Sequence, residues 1–571
     1  MPAFTRLCLL VLALLILGAS PAQAAFSETP STITPSANGA IRVVAPGDGV
    51  TYVGGDFTQI GGVSRNYIAA IDNTTGAVTS WNPNASNIVY EILVSGSTVY
   101  VGGLFTTVGG QARNRIAALD VSTGLATAWS PNANAQVYSM VRDGSTIYTA
   151  GQFTTIGGQT RNRFAALDVS TGLATAWNPN ANNTGNRIVL EGGVLYAAGN
   201  FTTIGGQARN RIAALDPVTG LATAWDPNAS SGINDIVLGA GVLHAGGIFT
   251  TIGGQARNRS AALDLSTGLA TSWDPNTNNT VYSLDAEGST LYAGGTFTAA
   301  GGQSRSGLAA IGVADGLATA WQPALTMSGG LREVRVTDEG LWAGGLFTIT
   351  GTSTTNLAFF PRLHDLSITV QGNGSVQGPS ITCSATCSSQ VVRGSTVALT
   401  ATPAAGQRFT GWSGACAGTG SCSVTMSAAK SVTASFAPAP TPDTGGTTPT
   451  ETTPAPAPTP TSPPPAPVAE ERSPVKLTTT LTISRLRLAR GFTVVLDGAK
   501  PGSLVSVRAR SGAGALVRDA VRADAKGRFR VVMRPTKKRW RAAKRGAITV
   551  RVILTRPDGS RARMHRTFRL M

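Results

Sequence analysis

Short apolar segments alternate with turns along residues 40–360, and the same arrangement of hydrophobic and polar positions returns every 48 residues. One unit contains Tyr100-Val101-Gly102-Gly103-Leu104-Phe105-Thr106, then Ala117-Ala118-Leu119-Asp120, and then Trp129-Ser130-Pro131-Asn132. Apolar runs of this length, bounded by Gly, Asn and Asp, are typical of β-strands joined by tight turns. The spacing predicts four strands per unit, which is the size of one propeller blade.

Two residue types mark the period most clearly. Tryptophan recurs at Trp81, Trp129, Trp177, Trp225, Trp273 and Trp321, and arginine recurs at Arg65, Arg113, Arg161, Arg209, Arg257 and Arg305. The element that reads Gly102-Gly103-Leu104-Phe105-Thr106 occurs seven times, the last as Gly344-Gly345-Leu346-Phe347-Thr348, but a Trp-x-Pro segment follows only six of these elements. The seventh unit therefore lacks its last strand.

The N-terminus offers a replacement for that strand. A step of 48 residues back from Pro83 gives Pro35, within Ile33-Thr34-Pro35-Ser36-Ala37-Asn38, where Ile33 stands in place of Trp. We predict that residues 31–38 pair in the same sheet as Leu341–Phe347 and Asn356–Phe360, because a strand from the far end of the chain joins the first and last blades and leaves no open edge. This arrangement predicts a seven-bladed β-propeller over residues 25–362.

The units resemble the kelch-like, delta-60-type propeller repeats of bacterial proteins, which share the doubled Gly and the downstream Trp. The segment Ala118-x-Asp120-x-x-Thr123-Gly124 before Trp129 is also similar to the tryptophan-docking motif of quinoprotein dehydrogenases, with one extra residue between Gly and Trp. Because five units carry the same Asp, Thr and Gly and six carry the Trp, we interpret Asp, Thr and Gly as turn formers and Trp as filler between neighbouring blades. The sequence predicts no cofactor and no metal ion.

The pattern changes after the propeller. Residues 365–436 contain Gly372-Asn373-Gly374-Ser375-Val376 and Phe409-Thr410-Gly411-Trp412, and closely resemble the divergent internalin-type B repeat of bacterial surface proteins, a small β-rich module. Four cysteines lie here within 40 residues, and no His lies within either pair, which favours disulfides over a zinc site. Of three possible connectivities, the short spacings favour Cys383 with Cys387 and Cys416 with Cys422.

Composition separates the rest of the chain into two further segments. Residues 437–475 are predicted to form a Pro/Thr-rich linker, since residues 438–467 include 12 Pro. Residues 476–571 alternate apolar and polar positions as strands do, and predict an immunoglobulin-like sandwich. The chain is therefore predicted to be all-β: propeller, small repeat module, linker and sandwich.

Positive charge is concentrated in the last segment. The chain carries a net charge of +17, but residues 476–571 hold 25 basic and 4 acidic residues. Residues 1–24 read as a secretory signal peptide, so the protein is predicted to be secreted, extracellular or associated with the cell wall, with no membrane span. An exported basic module meets acidic envelope polymers more often than nucleic acid, which favours attachment to the wall or surface. The candidate contacts to such a polymer or glycan are Lys537, Lys538, Arg539, Arg541, Lys544 and Arg545. The alternative is that Arg on outward strand faces only keeps the sandwich soluble.

Positions that differ between units indicate where a ligand could bind, because the architecture requires the same residue in every blade. At the start of the strand after each Trp-x-Pro segment, one aligned position holds Arg42, Tyr90, Tyr138, Asn186, Asn234, Tyr282 and Arg332. The next position holds Val43, Glu91, Ser139, Arg187, Asp235, Ser283 and Glu333. In a propeller this strand lines the central channel, so we select as candidate ligand contacts Tyr90, Glu91, Tyr138, Arg187, Asp235, Tyr282 and Glu333. Pairing of these side chains with one another explains the variety equally well.

Little in the sequence predicts catalysis. The three histidines, His244, His364 and His565, lie in different contexts, and His244 stands where other units place Tyr. The propeller has no Cys, so the copper chemistry of kelch-type oxidases does not carry over. The leading interpretation is a secreted, non-enzymatic binding or adhesion protein. The alternatives are an extracellular enzyme acting on polysaccharide, with Glu91, Asp235 or Glu333 at work, and a purely structural surface protein.

Overall fold

The computed structural model describes residues 26–379 and 381–440, together with the backbone of six strands between residues 492 and 569. Every regular element in these residues is a β-strand, so the predicted all-β fold is confirmed. The chain divides into two compact units, residues 1–444 and residues 445–571.

The first unit contains seven antiparallel sheets of three strands, here called sheets 1 to 7 in chain order. The first strand of each sheet, called the inner strand, spans Ile41–Pro46, Val89–Ser95, Val137–Asp143, Gly185–Glu191, Ile233–Gly239, Val281–Glu287 or Leu325–Val336. The middle strand spans Val50–Gly55, Thr98–Gly103, Thr146–Gly151, Val194–Gly199, Val242–Gly247, Thr290–Gly295 or Gly340–Ile349. The outer strand spans Ile68–Asp72, Ile116–Asp120, Phe164–Asp168, Ile212–Leu215, Ser260–Asp264, Leu308–Gly312 or Thr355–Pro361.

The seven sheets follow one another around a channel, as the blades of a propeller do. Each inner strand contacts the inner strand of the next sheet, and the inner strand of sheet 7 contacts that of sheet 1. Apolar residues from two successive sheets form each core cluster, so the hydrophobic core lies between the sheets. The inner strands line the channel, which is where the variable positions of the repeat are placed.

The fourth strand predicted for each unit is reduced to a single β-bridge, for example Leu119 with Ala126. The amide of Thr127 makes one more bond to the outer strand, at the carbonyl of Ala118, and the amide of Trp129 donates to the hydroxyl of Thr127. Each of sheets 1 to 6 is accompanied by a separate two-stranded hairpin, which follows its middle strand in the chain. The hairpins pair Gln59–Ile60 with Val63–Ser64, Thr107–Val108 with Gln111–Ala112, Thr155–Ile156 with Gln159–Thr160, Thr203–Ile204 with Gln207–Ala208, Thr251–Ile252 with Gln255–Ala256, and Ala299–Ala300 with Gln303–Ser304. Each hairpin turn is a Gly-Gly pair with positive φ, as in Gly109 and Gly110, which suits a two-residue hairpin.

Each repeated tryptophan connects two neighbouring sheets. The ring of Trp129 packs edge to face on Tyr100 of the preceding sheet, with centroids 5.1 Å apart, and its Nε1 donates to the carbonyl of Asp168 in the following sheet at 3.0 Å. The same two contacts are made by Trp81, Trp177, Trp225 and Trp273, with indole hydrogen bonds of 2.8–3.2 Å. The structure thus places each of these tryptophans between blades, as the repeat analysis predicted.

His244 replaces the repeated tyrosine at one of these junctions. Its fully buried ring packs on Trp273 with centroids 4.9 Å apart, in the geometry that tyrosine adopts elsewhere. Burial lowers the pKa of His244 to about 4, so the imidazole is neutral at physiological pH. His244 therefore replaces the tyrosine ring of the other units structurally, as its position in the repeat indicated.

The N-terminal segment lies along the outer strand of sheet 7. The amides of Ser27, Ser31 and Ala37 donate to the carbonyls of Pro361, Phe359 and Thr355. These hydrogen bonds are widely spaced and sheet 7 contains only three strands, so the prediction that residues 31–38 pair as a strand of this sheet is wrong. The ring is closed by contact between the first strand of sheet 1 and sheet 7, and the N-terminal segment lies beside the outer strand. Trp321 differs from the other repeated tryptophans, because its Nε1 donates to the carbonyl of Ser27 in the N-terminal segment at 3.2 Å.

The repeat module after the propeller is built from two four-stranded sheets. In spatial order, one contains Thr386–Val392, Leu363–Gln371, Lys430–Pro438 and Gln407–Gly414, and the other contains Ile381–Cys383, Gly374–Gly378, Thr396–Pro403 and Cys422–Thr425. Leu366, Ile368, Leu399 and Trp412 lie in its core. Disulfides join Cys383 to Cys387 and Cys416 to Cys422, which confirms the predicted connectivity.

The second unit contains six described strands. Phe492–Leu496 pairs with Phe529–Met533, and Gly514–Arg522, Leu504–Ser511, Ala547–Thr555 and Arg561–Arg569 form a four-stranded antiparallel sheet in that order. These strands follow the predicted alternation, and the immunoglobulin-like assignment stays a prediction.

Removal of residues 25–39 is expected to lower the melting temperature of the full chain sharply. The deletion removes the buried ring of Phe26 and the hydrogen bonds to the outer strand of sheet 7. Loss of one buried aromatic ring costs about 3–5 kcal/mol in many proteins. Differential scanning calorimetry on the deletion and on Phe26→Ala would measure the effect, and an unchanged melting temperature in both would mean that the segment does not stabilise the ring.

Candidate functional site

The variable positions of the repeat coincide with a β-bulge in every inner strand. The pairing with the middle strand skips one residue in all seven sheets, as between Val137 and Ser139, so that Tyr138 has no partner. The skipped residues are the ones selected by repeat alignment, Arg42, Tyr90, Tyr138, Asn186, Asn234, Tyr282 and Arg332. A bulge redirects the side chain of its extra residue, which explains why this position is free to vary.

A glycine in the middle strand makes room for each bulge. A Cβ at Gly151 would lie 2.1 Å from the carbonyl oxygen of Gln136, where the inner strand begins. The equivalent contacts at Gly55, Gly103, Gly199, Gly247, Gly295 and Gly345 would be 2.0–2.6 Å. The preceding glycine is less constrained, because Ala150 and Ala198 take its place in two units. The second glycine of the repeated element is therefore the residue that the bulge requires.

The seven bulge residues form a half-buried ring, here called the mouth, at the end of the channel where the inner strands begin. Tyr90 and Tyr138 pack edge to face with centroids 5.0 Å apart, and the guanidinium of Arg42 lies 5.4 Å from the Tyr90 ring. The guanidinium of Arg332 lies 4.0 Å from the Tyr282 ring. Burial raises the pKa of Tyr138 to about 12, so this phenol stays protonated and can donate a hydrogen bond.

Two amides complete the mouth. Asn186 and Asn234 donate through Nδ2 to the carbonyls of Ile233 and Val281 in the following sheets, both at 2.8 Å. Arg42 is held by a bidentate pairing with the carboxylate of Asp56. The mouth therefore presents aromatic rings and polar groups that neighbouring sheets hold in place.

The next residue of each inner strand points into a buried layer below the mouth, here called the floor. Glu91, Asp235 and Glu333 are only 6–8% exposed. The Arg187 side chain lies with its Nε 2.9 Å from Asp235 and its Nη1 3.5 Å from Glu91. The structure therefore brings three of these candidate residues into contact, and it places Glu333 in the same buried layer, where it pairs with Arg335.

Hydrogen bonds tie the floor to the backbone of adjacent sheets. The Asp235 carboxylate accepts the amide of Leu284 at 2.8 Å, and the hydroxyls of Ser139 and Ser283 accept amides of the following inner strands. These contacts hold neighbouring sheets together, so the floor has a structural role.

Two charged residues of this layer, Asp285 and Arg335, were not predicted from the sequence. Arg335 donates to the Glu333 carboxylate at 3.1 Å and lies 3.8 Å from Asp285. A signal was available, because the aligned position is apolar in five units, as Ala45, Leu93, Val141, Val189 and Val237, and charged in two.

Burial controls the ionisation of the floor. Desolvation raises the pKa of Glu91 and of Glu333 to about 7, although the nearby Arg187 and Arg335 oppose the shift. Desolvation also raises the pKa of Asp235. The floor thus contains the carboxyl groups of Glu91, Asp235, Asp285 and Glu333 and the guanidinium groups of Arg187 and Arg335. Partial protonation of Glu91 and Glu333 near neutral pH reduces its negative charge.

The repeated aspartates after the outer strands act as turn formers. The Asp120 carboxylate accepts hydrogen bonds from the amides and hydroxyls of Ser122 and Thr123, which lower its pKa to about 2. Within the described residues, no group of three or more His, Cys, Asp or Glu side chains is arranged to hold a metal ion. The candidate polymer contacts Lys537, Lys538, Arg539, Arg541, Lys544 and Arg545 lie outside the described residues.

Family comparisons support two of these domains. Residues 364–440 match the divergent InlB B-repeat domain, and residues 47–69 match a β-propeller domain of unknown function. Both resemblances inferred from the sequence are confirmed. No curated protein matches the chain.

Solved structures resemble the chain only distantly. The computationally designed Ika8 protein is 11% identical, with a TM-score of 0.39, and the match covers 59% of this chain and 100% of that one. A chain of the mitotic checkpoint complex is 14% identical, with a TM-score of 0.41 and coverage of 62% and 98%. The extracellular domain of a putative hybrid two-component system from B. thetaiotaomicron is 9% identical, with a TM-score of 0.38 and coverage of 96% and 59%.

Glu91→Gln is expected to flatten the pH dependence of stability between about pH 4.5 and pH 7. The folded-state pKa of Glu91 is raised, so the folded protein binds more protons than the unfolded chain in this range, and stability falls as pH rises. The change is on the order of 3 kcal/mol for a shift of this size. Urea unfolding across pH 4.5–8 would measure it, with the exposed Glu191→Gln as the matched control.

His244 acts in the opposite direction, since its depressed pKa makes stability rise between about pH 4 and pH 6.5. The difference between wild type and Glu91→Gln isolates the carboxyl, because both proteins retain His244. Parallel pH curves for the two proteins would contradict the assignment.

Proposed function

We propose that this chain is a secreted or cell-surface binding protein that recognises a glycan at the mouth of its propeller. One observation carries the proposal: the repeat varies at the bulge, and the varied side chains are half-buried and reachable from solvent. Aromatic rings beside amides and guanidinium groups suit a sugar, because the rings stack on its apolar faces and the polar groups bond its hydroxyls.

The floor supports binding rather than hydrolysis. Glycoside hydrolysis uses two carboxyl groups that flank the scissile bond. Glu91, Asp235 and Glu333 are buried below the mouth, and Arg187 or Arg335 lies beside each of them. We therefore assign Tyr90, Tyr138 and Tyr282 to ligand contact, and Glu91, Arg187, Asp235 and Glu333 to the support of the mouth.

Surface placement rests on the accompanying domains. The divergent InlB B-repeat and the two disulfides are features of exported proteins. Separately, the described part of the chain contains no helix that is long and apolar enough to cross a membrane. In this proposal the signal peptide directs export, and the basic segment at residues 476–571 attaches the protein to an anionic envelope polymer.

Binding of the purified chain to a glycan array, followed by analysis of released products, tests the proposal. Tyr138→Ala and Tyr282→Ala are each expected to weaken binding more than about tenfold, as for anchoring aromatic residues in other interfaces. Val218→Ala is the control, because Val218 is 82% exposed and lies away from the mouth. Unfolding curves would establish that the tyrosine variants remain folded.

Equal affinity of all variants for a bound glycan would place the ligand elsewhere. Released oligosaccharide would favour an enzyme. Absence of binding to any glycan would favour the purely structural role.

A further inference from the structure

A residue at the start of the outer strand has a positive φ in every sheet. The angle is 62–68° at the arginines of sheets 2 to 5, which are Arg115, Arg163, Arg211 and Arg259. It is 63–68° at the equivalent residues of the other three sheets, Tyr67, Gly307 and Asn356. This left-handed conformation suits Gly and Asn but is unfavourable for Arg. The fold therefore does not require arginine here, yet four consecutive sheets have it.

These four arginines, here called the arc, lie at the mouth end of their sheets. The carbonyl of Arg163 accepts the amide of Gly151 at 2.8 Å, and Gly151 is the glycine that makes room for the bulge at Tyr138. The other three arginines accept the equivalent glycine amides at 2.8–2.9 Å. Each residue of the arc therefore lies at the level of a mouth residue of its own sheet, but at the outer strand instead of the inner strand.

The guanidinium groups of the arc are held in place but are not neutralised. Each donates through Nη1 to a backbone carbonyl, as Arg115 does to Leu104 at 2.7 Å. All four residues are half-buried, and within residues 26–379 and 381–440 none of them pairs with a carboxylate. In contrast, Arg113 uses both terminal nitrogens on the carbonyls of Ala112 and Thr127. The arc thus has positive charge left for a ligand.

Carboxylates mark the opposite end of the propeller. The outer strands run from the mouth end to turns that begin with Asp72, Asp120, Asp168, Asp216 and Asp264. Hydrogen bonds from neighbouring hydroxyls and amides lower the pKa of Asp120, Asp168 and Asp264 to about 2, so these groups are ionised at physiological pH. This distribution of charge attracts an anion to the mouth end and repels it from the other end.

We propose that the glycan bound at the mouth is a polyanion, and that the arc binds its carboxylate or sulfate groups. This inference rests on the proposed function and specifies the class of its ligand. Guanidinium groups form charge-assisted hydrogen bonds with oxyanions, and their planar shape suits two such bonds at once. Four equivalent groups on consecutive sheets suit a polymer that repeats its charge, because several contacts then act together.

The floor limits where the anionic groups of such a polymer lie. It contains more carboxyl than guanidinium groups, and Glu91, Asp235 and Glu333 are buried directly below the mouth. Negative charge there repels an anion from the channel. The polymer therefore lies across the mouth, with sugar rings on tyrosines such as Tyr138 and charged groups on the arc outside them.

The test measures urea unfolding of the full chain by tryptophan fluorescence, since seven of the nine tryptophans lie in the propeller. A ligand that binds the folded propeller raises the midpoint of this transition. Binding to the basic residues 476–571, which belong to the other compact unit, is expected to leave it unchanged. Oligogalacturonate and dextran sulfate are the anionic probes, and the methyl ester of oligogalacturonate and dextran are their uncharged counterparts.

Wild type is expected to respond to an anionic probe and much less to its uncharged counterpart. A response to oligogalacturonate identifies carboxylate as the bound group, and a response to dextran sulfate identifies sulfate. Arg163→Asn combined with Arg211→Asn should weaken binding about tenfold, because two charge-assisted hydrogen-bonding groups are lost. The fold is expected to persist, since Asn356 has the same position and conformation in sheet 7. Arg211→Asn alone gives the same comparison, with about a threefold effect, if the double variant does not fold.

The matched control is Arg142→Gln combined with Arg408→Gln, which removes the same net charge elsewhere. Arg142 bonds the carbonyl of Gly144 at the far end of an inner strand, and Arg408 is exposed in the repeat module. The control is expected to bind the anionic probe as wild type does.

Equal responses of wild type and the arginine variant would overturn the inference. Equal responses to charged and uncharged probes, or no response to either anionic probe, would also overturn it. Tyr138→Ala distinguishes these results from failure of the proposed function. If only Tyr138→Ala weakens binding, the glycan site stands and the arc has no part in it. If only the arginine variant weakens binding, the arc binds an anion and the proposed stacking on tyrosine is wrong.

Discussion

The indole between adjacent sheets is the interaction on which this propeller depends. Each ring buries an apolar surface against the aromatic residue of one sheet and donates a hydrogen bond to the backbone of the next. A packing contact alone could slide, whereas the N–H donor fixes where the ring lies along the strand. Because each unit has only three strands and a hairpin, most of its hydrophobic surface must be covered by neighbouring units.

The same repeat leaves one position free for function. The obligatory glycine of the middle strand, such as Gly151, allows the inner strand to bulge. The bulge residue then lies at the mouth, where Arg, Tyr and Asn occur in different units and make different contacts with the next sheet. In the proposed function, the glycine serves the architecture and the bulge residue serves recognition.

Much of the fold could be predicted from the sequence because its determinants are periodic. The spacing of 48 residues located the tryptophans between blades, and the substitution of His244 for tyrosine followed from alignment of the units. The disulfides followed from short spacings. The apolar pattern predicted a fourth strand, but the segment forms only a single β-bridge to the outer strand, as between Leu119 and Ala126.

The candidate site was harder to predict for a different reason. The sequence identified variable positions along the inner strands but not which of them reach solvent, since that depends on the one-residue bulge and on closure of the ring. Arg187 of sheet 4 contacts Glu91 of sheet 2, a pairing that no local pattern specifies. Asp285 and Arg335 were missed because their aligned position is apolar in most units.

Hydrogen–deuterium exchange of the full chain tests most directly whether the indoles hold the ring together. If they do, the junction of sheets 7 and 1 opens first, because Ile33 stands there in place of the repeated tryptophan. Amides in Ile68–Asp72 and Thr355–Pro361 then exchange faster than those in Ile116–Asp120 and Phe164–Asp168, which border junctions that contain the repeated tryptophan. Equal exchange in all four segments, or faster exchange at a junction that contains the repeated tryptophan, would contradict this account.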